Sequence, residues 1–154
     1  MSLELLTIGK SSEAWLDEIE ETYSKKISLI AKFKLKILKG HAIPRERFNE
    51  KILDETKKLL EEIKATDFVV LFDEKGKKVD SIGFAKLISS PLDTGKNVVF
   101  IIGGAFGAGE EIKKRANVIV SFSDMTFNHL IVRAVALEQI YRVLTIWKRI
   151  PYHN

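Results

Sequence analysis

Two stretches of this chain, Phe68-Val69-Val70-Leu71-Phe72 and Asn97-Val98-Val99-Phe100-Ile101-Ile102, are apolar with scarcely a break. A strand with one wet face alternates polar and apolar residues; these do not, so both faces of each must be covered. Parallel strands joined by crossover helices on both sides of a sheet meet that demand. Helical patterns stand where such crossovers need them, over residues 12–30, 45–64, 81–89, 110–116 and 128–147. The first has Ser11 or Ser12 as N-cap and acidic residues early in it. Further strands are read over residues 3–8 and 118–122. Lys32-Phe33-Lys34-Leu35-Lys36-Ile37 alternates strictly, which suits a half-exposed strand near a sheet edge, where lysine discourages further pairing. Residues 40–44 form a loop, and Asp73-Glu74-Lys75-Gly76-Lys77 turns the chain. The expectation is an α/β fold of three layers around a mainly parallel sheet. No repeat, low-complexity segment or linker divides residues 1–154, so a single domain is expected.

Composition narrows the function classes. The 154 residues suffice for a sizeable core, and 45% hydrophobic with 30% charged residues is a globular balance. There is no cysteine, which removes disulfides, thiolate zinc sites and cysteine nucleophiles together. No apolar run approaches the ~20 residues of a membrane span. Met1-Ser2-Leu3-Glu4-Leu5-Leu6 has no basic leader, so nothing points to export and a cytoplasmic location is expected. The formal charge of +4 and pI of about 9.2 permit an acidic partner such as RNA. A lysine-rich solvated surface explains them equally. The basic residues come in short runs (Lys25-Lys26, Lys77-Lys78, Lys113-Lys114-Arg115) and form no arm.

The second apolar strand runs into Gly103-Gly104-Ala105-Phe106-Gly107-Ala108-Gly109, where α/β proteins bind ligands. The spacing is neither G-x-G-x-x-G nor a Walker A loop. The next helix opens with Glu110 and Glu111, which suit a helix dipole but would repel a phosphate. A pyrophosphate cofactor is therefore disfavoured, and a nucleotide-dependent oxidoreductase with it. An adenosyl group carrying a sulfonium amino acid meets no such objection, although the glycines by themselves fit a structural turn as well. Ser121-Phe122-Ser123-Asp124-Met125-Thr126-Phe127-Asn128-His129 likewise either walls and hydrogen-bonds a base or supplies core residues and a cap, from Thr126 or Asn128.

Residues 128–147 leave no wide polar face, which predicts burial on several sides and a subunit interface. Arg133, one turn after His129 and read as lying on a different face, is one of the few polar exceptions. Glu138 and Arg142 stand four apart in the favourable order for an ion pair. Beyond Pro151 the chain closes on Tyr152-His153-Asn154, residues that fray unless something holds them.

Taken together, Phe100-Ile101-Ile102-Gly103-Gly104, the 121–129 run, Glu138-Gln139-Ile140-Tyr141-Arg142 and Pro151-Tyr152-His153 resemble the RlmH family of the SPOUT superfamily. Ile8-Gly9-Lys10, Tyr23-Ser24-Lys25-Lys26 and Phe72-Asp73-Glu74-Lys75-Gly76-Lys77 carry the resemblance over nearly the whole chain. It implies a SPOUT-type methyltransferase domain with a C-terminal trefoil knot, and a homodimer packed through it. It also implies S-adenosyl-L-methionine-dependent methylation of N3 of a pseudouridine in large-subunit ribosomal RNA on assembled ribosomes, without a metal.

Carried over residue by residue, the resemblance gives cofactor contacts to Phe72, Gly103, Phe122, Ser123, Asp124, Met125, Thr126 and Phe127. Arg142, Tyr152 and His153 become the catalytic and substrate-side set, completing the partner subunit's pocket. His153 or a nearby water would take the imide proton, Arg142 would steady developing negative charge, and Tyr152 would stack on or orient the base. Two positions depart from the family pattern: Asn128 stands where members commonly carry proline, and Asn154 where many carry a basic residue. The rival reading from a different class is a non-catalytic RNA-binding or ribosome-assembly factor.

Overall fold

The computed structural model describes residues 1–9 and 13–153. Among them, strands β1 (Leu3–Ile8), β2 (Phe33–Leu38), β3 (Phe68–Lys78), β4 (Val98–Ile102) and β5 (Val118–Ser121) form one sheet in the order β2-β1-β4-β3-β5. Every strand pairing is parallel. The helices are α1 (Ala14–Ser28), α2 (Phe48–Glu61), α3 (Ser81–Asp93), α4 (Glu110–Arg115) and α5 (His129–Trp147), with a 3-10 turn, Arg45–Arg47, ahead of α2.

Successive side chains of a strand point to opposite faces, and here both faces are dry. Leu5, Val70, Phe72, Phe100 and Ile102 pack beneath α1, α3 and α5. Leu6, Leu71, Val99 and Ile101 pack against Leu59 of α2 and Ile112 of α4. That two-sided burial is why β3 and β4 read as unbroken apolar runs, each buried side chain contributing about 1.5–3 kcal/mol. The lysine-alternating segment is β2, at the sheet edge with Lys34 exposed.

Several boundaries differ from the sequence reading. Helix α1 starts at Ala14 with Glu13 at the N-cap position; Ser11 and Ser12 lie outside the described residues. Helix α3 runs on to Asp93 through Pro91, because Ile88, Pro91 and Leu92 are buried and packing outweighs the lost backbone bond. Most consequentially, the expected turn at 73–77 does not end β3. The strand continues to Lys78, and Val120 of β5 pairs with both Phe72 and Lys77. The residues between form a bulge opposite Val120 of β5. Gly76 makes this feasible, since a Cβ there would lie 2.7 Å from the Val120 carbonyl carbon.

Helix α5 lies against α1 and α3. Leu137, Ile140 and Val143 are fully buried, yet Ile131 is 46% exposed and Val132, Ala134 and Val135 are half-buried. Within one chain, the expected all-round burial is therefore met on one side only. On that side Arg133, completely buried, bonds Glu20 of α1 through Nη1 at 2.9 Å. Two desolvated charges hold only if paired, so this pair fixes the α1–α5 register.

The bulge gives the first prediction. Gly76→Ala should lower the free energy of unfolding by ~1–3 kcal/mol through overpacking against β5. Urea denaturation reads this, and an unshifted midpoint would mean that the bulge has room for a side chain.

Candidate active site

Parallel pairing brings the bulge of β3 and the segments that follow β4 and β5 to one end of the sheet. They enclose a cleft of about 510 Å³, within the range of small-molecule sites. Phe72, Gly103, Phe122, Ser123, Met125, Thr126 and Phe127 line it, seven of the eight residues expected to hold a cofactor. The eighth, Asp124, is exposed outside the lining and pairs with Lys78 at 2.5 Å. Phe72 and Phe122 stack at 4.5 Å to form an aromatic wall. Met125 and Phe127 remain 72% and 42% exposed, so they serve the cleft and not the core.

The 122–128 segment is shaped by its own hydrogen bonds. Ser121 Oγ donates to the Ser123 carbonyl, Met125 N–H donates to Ser123 Oγ, and Thr126 Oγ1 donates to Glu74. Of the two helix caps left open by the sequence, Asn128 is used: its Oδ1 accepts from Leu130 N–H at 2.9 Å. Proline at this position has no side-chain acceptor to do so. The glycine loop folds on itself, with Gly107 N–H donating to Gly104 O at 3.0 Å. A Cβ on Gly103 would lie 2.7 Å from the Gly107 carbonyl carbon, so that position must be glycine.

Support for this loop comes from α2, which the sequence presented only as a helical pattern over residues 45–64. Thr56 Oγ1 accepts the buried Gly109 N–H at 3.1 Å. Glu55 lies under Gly104, where an added Cβ would meet its Oε2 at 2.1 Å. Among the described residues that oxygen is buried without a hydrogen-bond partner. Burial pushes the Glu55 carboxyl above the usual carboxylate range, helped by Asp54 and opposed by Lys51 and Lys58. His129 also lines the cleft, a role the sequence reading did not give it. Burial holds its imidazole below the ordinary value, assisted by the charges of Arg133 and Lys51. His129 and Arg133 stand four residues apart on α5, about one turn, which corrects their assignment to different faces. No local pattern marks Glu55 or Thr56; only the packing of α2 under a loop ~50 residues away does.

The three residues expected to be catalytic form a second cluster, and none of them lines the cleft. Glu138 Oε1 accepts from Arg142 Nε at 2.9 Å, from Arg142 Nη2 at 2.7 Å and from Tyr152 OH at 3.3 Å. This confirms the 138–142 pair and holds the guanidinium above its ordinary pKa. Arg142 Nη1 reaches His153 Nδ1 at 3.1 Å, and the guanidinium carbon lies 4.7 Å from the Tyr152 ring centre. Tyr152 and His153 are turned back toward α5, because the helix ends in a reversal at Arg149 (φ 55°). There Arg149 N–H donates to Ile146 O and Ile150 N–H to Thr145 O, the double bond of a Schellman cap. Tyr152 then packs edge-on against Tyr141 at 4.7 Å. Burial, reinforced by Tyr152, pushes the Tyr23 hydroxyl up to about 12. Asn154 lies outside the described residues.

The aromatic faces, the backbone groups of two tight loops and the carboxylates Asp73 and Glu74 suit adenosine and a sulfonium; Lys75 and Lys113 also line the cleft, with Lys113 at 3.9 Å from Asp73 and 3.4 Å from Glu110. Among the described residues no cluster of His, Asp or Glu could hold a metal ion, and no helix is long and apolar enough to cross a membrane.

The family model described as "Predicted SPOUT methyltransferase" matches residues 1–153. A "Ribosomal RNA large subunit methyltransferase H" of Bdellovibrio bacteriovorus is 45% identical over 155 residues, covering 100% of this chain and 99% of that protein. One of the same name from Pseudothermotoga lettingae is 36% identical over 153 residues, covering 99% of each. The crystal structure "Probable Methyltransferase from Bordetella pertussis Tohama I" superposes with a TM-score of 0.56 at 14% identity, over 92% of this chain and 93% of that one, a likeness of fold.

Glu55 gives a test of the loop support. Its native carboxyl binds a proton more tightly than the ordinary value of 4.5. Stability tied to that proton is present at low pH and lost as pH rises through the native value. Glu55→Gln, which cannot ionise, should therefore change the melting temperature little near about pH 4 and raise it relative to wild type near about pH 8. A difference that is flat with pH would show that Glu55 is ordinarily ionised.

Proposed function

The chain belongs to the SPOUT methyltransferase family and to its ribosomal RNA large subunit methyltransferase H branch, and on that premise we propose that it methylates N3 of a pseudouridine in large-subunit ribosomal RNA. The methyl donor in this reading is S-adenosyl-L-methionine, and the substrate is the assembled ribosome in the cytoplasm. The working unit is a homodimer of single 1–154 domains, each with its C-terminal part threaded as a trefoil knot. The observation that carries the reading is the aromatic cleft at the β3 bulge and the ends of β4 and β5, lined by seven of the eight expected cofactor residues.

S-Adenosylmethionine, when bound, supplies an electrophilic methyl group whose leaving thioether is neutral, so no metal is required. Phe72 and Phe122, stacked on one another, would form one wall beside the adenine, and the backbone of 122–127 with Gly103 would hold the adenosyl and amino-acid parts. Arg142, held by Glu138, stabilises negative charge on the base oxygens as the imide proton leaves. A guanidinium can only donate, so in the 3.1 Å contact with Arg142 the His153 Nδ1 is the acceptor. In this arrangement His153 offers an N–H to the base, and the proton leaves to water. Tyr152 orients the base by stacking.

The cleft and the 142–153 cluster stand apart on one chain, and α5 leaves Ile131, Val132 and Val135 incompletely covered. Both features support a second copy whose α5 covers that face and whose Arg142, Tyr152 and His153 complete the cleft.

Labelled methyl transfer to unmodified assembled ribosomes, compared with free large subunits, tests the activity. Incorporation into the former is expected, and none into either would leave the RNA-binding or assembly-factor reading standing. His153→Ala should reduce turnover by roughly 10²–10³-fold with cofactor affinity near wild type. Mixing two inactive variants, His153→Ala and Gly103→Val, should restore about a quarter of wild-type activity, since random dimers then contain one intact composite site in half their number. No recovery on mixing would place each site within one chain.

A further inference from the structure

Beside the cleft, at the start of α2, an aromatic pair stands at the surface. Phe48 is 45% exposed, and its ring centre lies 6.0 Å from that of Phe106, which belongs to the glycine loop and lines the cleft. Two cations flank Phe106: the Arg45 guanidinium carbon at 5.9 Å from the ring centre and the Lys51 amine at 6.0 Å. Among the described residues neither forms an ion pair, and Glu50, on the same turn, is taken by Arg47. Glu46 is an exposed neighbour, while the Lys51 charge also acts on Glu55 and His129 at the cleft.

The placement follows from topology. Helix α2 leaves the carboxyl end of parallel β2, so its first turn lies at the same end of the sheet as the cleft. A nucleic-acid strand with one base in the cleft has neighbouring nucleotides within reach of this turn. An exposed ring face with cations a few residues away fits single-stranded nucleotides, since every base has a face to stack and every nucleotide a phosphate to neutralise. A partner protein with an apolar surface would leave Arg45 and Lys51 desolvated and unpaired, at a cost.

We propose that Arg45, Phe48, Lys51 and Phe106 form a docking platform for single-stranded nucleotides of the RNA substrate, next to the target base. A base stacks on Phe48, and Arg45 and Lys51 hold the flanking phosphates. The platform rests on the reading of the chain as an RNA methyltransferase and adds the residues that bind RNA outside the reaction centre.

The test uses the full-length protein and unmodified ribosomes, with affinity measured by cosedimentation over a salt series. S-Adenosylmethionine binding is measured by calorimetry on the same preparations. Phe48→Ala should weaken ribosome binding about 5-fold or more, the loss of one base stack, and Phe48→Trp should restore it. Arg45→Ala should weaken binding and reduce the slope of log affinity against log salt by about 1. Both alanine variants should bind S-adenosylmethionine as wild type does. If both bind ribosomes normally while wild type transfers methyl, the platform is refuted and the methyltransferase reading stands. If wild type neither binds ribosomes nor methylates them, both fall. A changed oligomeric state in Phe48→Ala would make the patch a contact between copies and overturn the proposal.

Discussion

Phe72 packs parallel to Phe100 at 6.1 Å and edge-on to Phe84 at 5.8 Å, and stacks on Phe122 at 4.5 Å. Core and cleft wall are thus one aromatic assembly, in which Phe72 is 6% exposed. Its position is set by the pairing of β3 with β4 on one side and β5 on the other. A shift of one residue in that pairing would turn Phe72 to the opposite face. The core would lose a large apolar side chain and the cleft would lose its wall together, so stability and ligand recognition depend on the same register.

Charge is used in three ways around this framework. The Glu20–Arg133 pair is desolvated and locks α1 onto α5. Glu138–Arg142, on the same helix, is partly solvated and holds a guanidinium in a fixed pose beside Tyr152 and His153. Glu55, by contrast, is buried with its carboxyl displaced upward and fills the space left by Gly104. The first serves packing, the second is available to chemistry, and the third couples the shape of the glycine loop to α2.

Much of the fold was legible because its signals are local. β1, β2 and β4 were readable from hydrophobic runs or alternation, and α4 and α5 from period and flanking residues. The misreadings share a cause. Lys75-Gly76-Lys77 has the composition of a turn, but glycine is needed there because β5 passes close to its backbone. Pro91 looks like a helix end, but burial of Ile88 and Leu92 carries α3 past it. At the candidate site, resemblance marked the residues of the cleft wall and the 142–153 cluster. It did not mark Glu55, Thr56 or Phe48, whose parts come from where α2 packs. Asp124 shows the converse, a motif member whose side chain points outward to Lys78.

The sequence by itself determined the α/β class, the two-faced burial of β3 and β4, the glycine loop and the Glu138–Arg142 pair. Each follows from side-chain period or from spacing within one turn of helix. Only the tertiary structure decided that the β3 bulge and two loops converge on one cleft, that α2 underpins the glycine loop, and that Tyr152 and His153 fold back onto α5. Those outcomes rest on contacts such as Thr56 with Gly109 and Glu20 with Arg133, 53 and 113 residues apart. Neither member of such a pair carries a mark of the other until the sheet has brought them together.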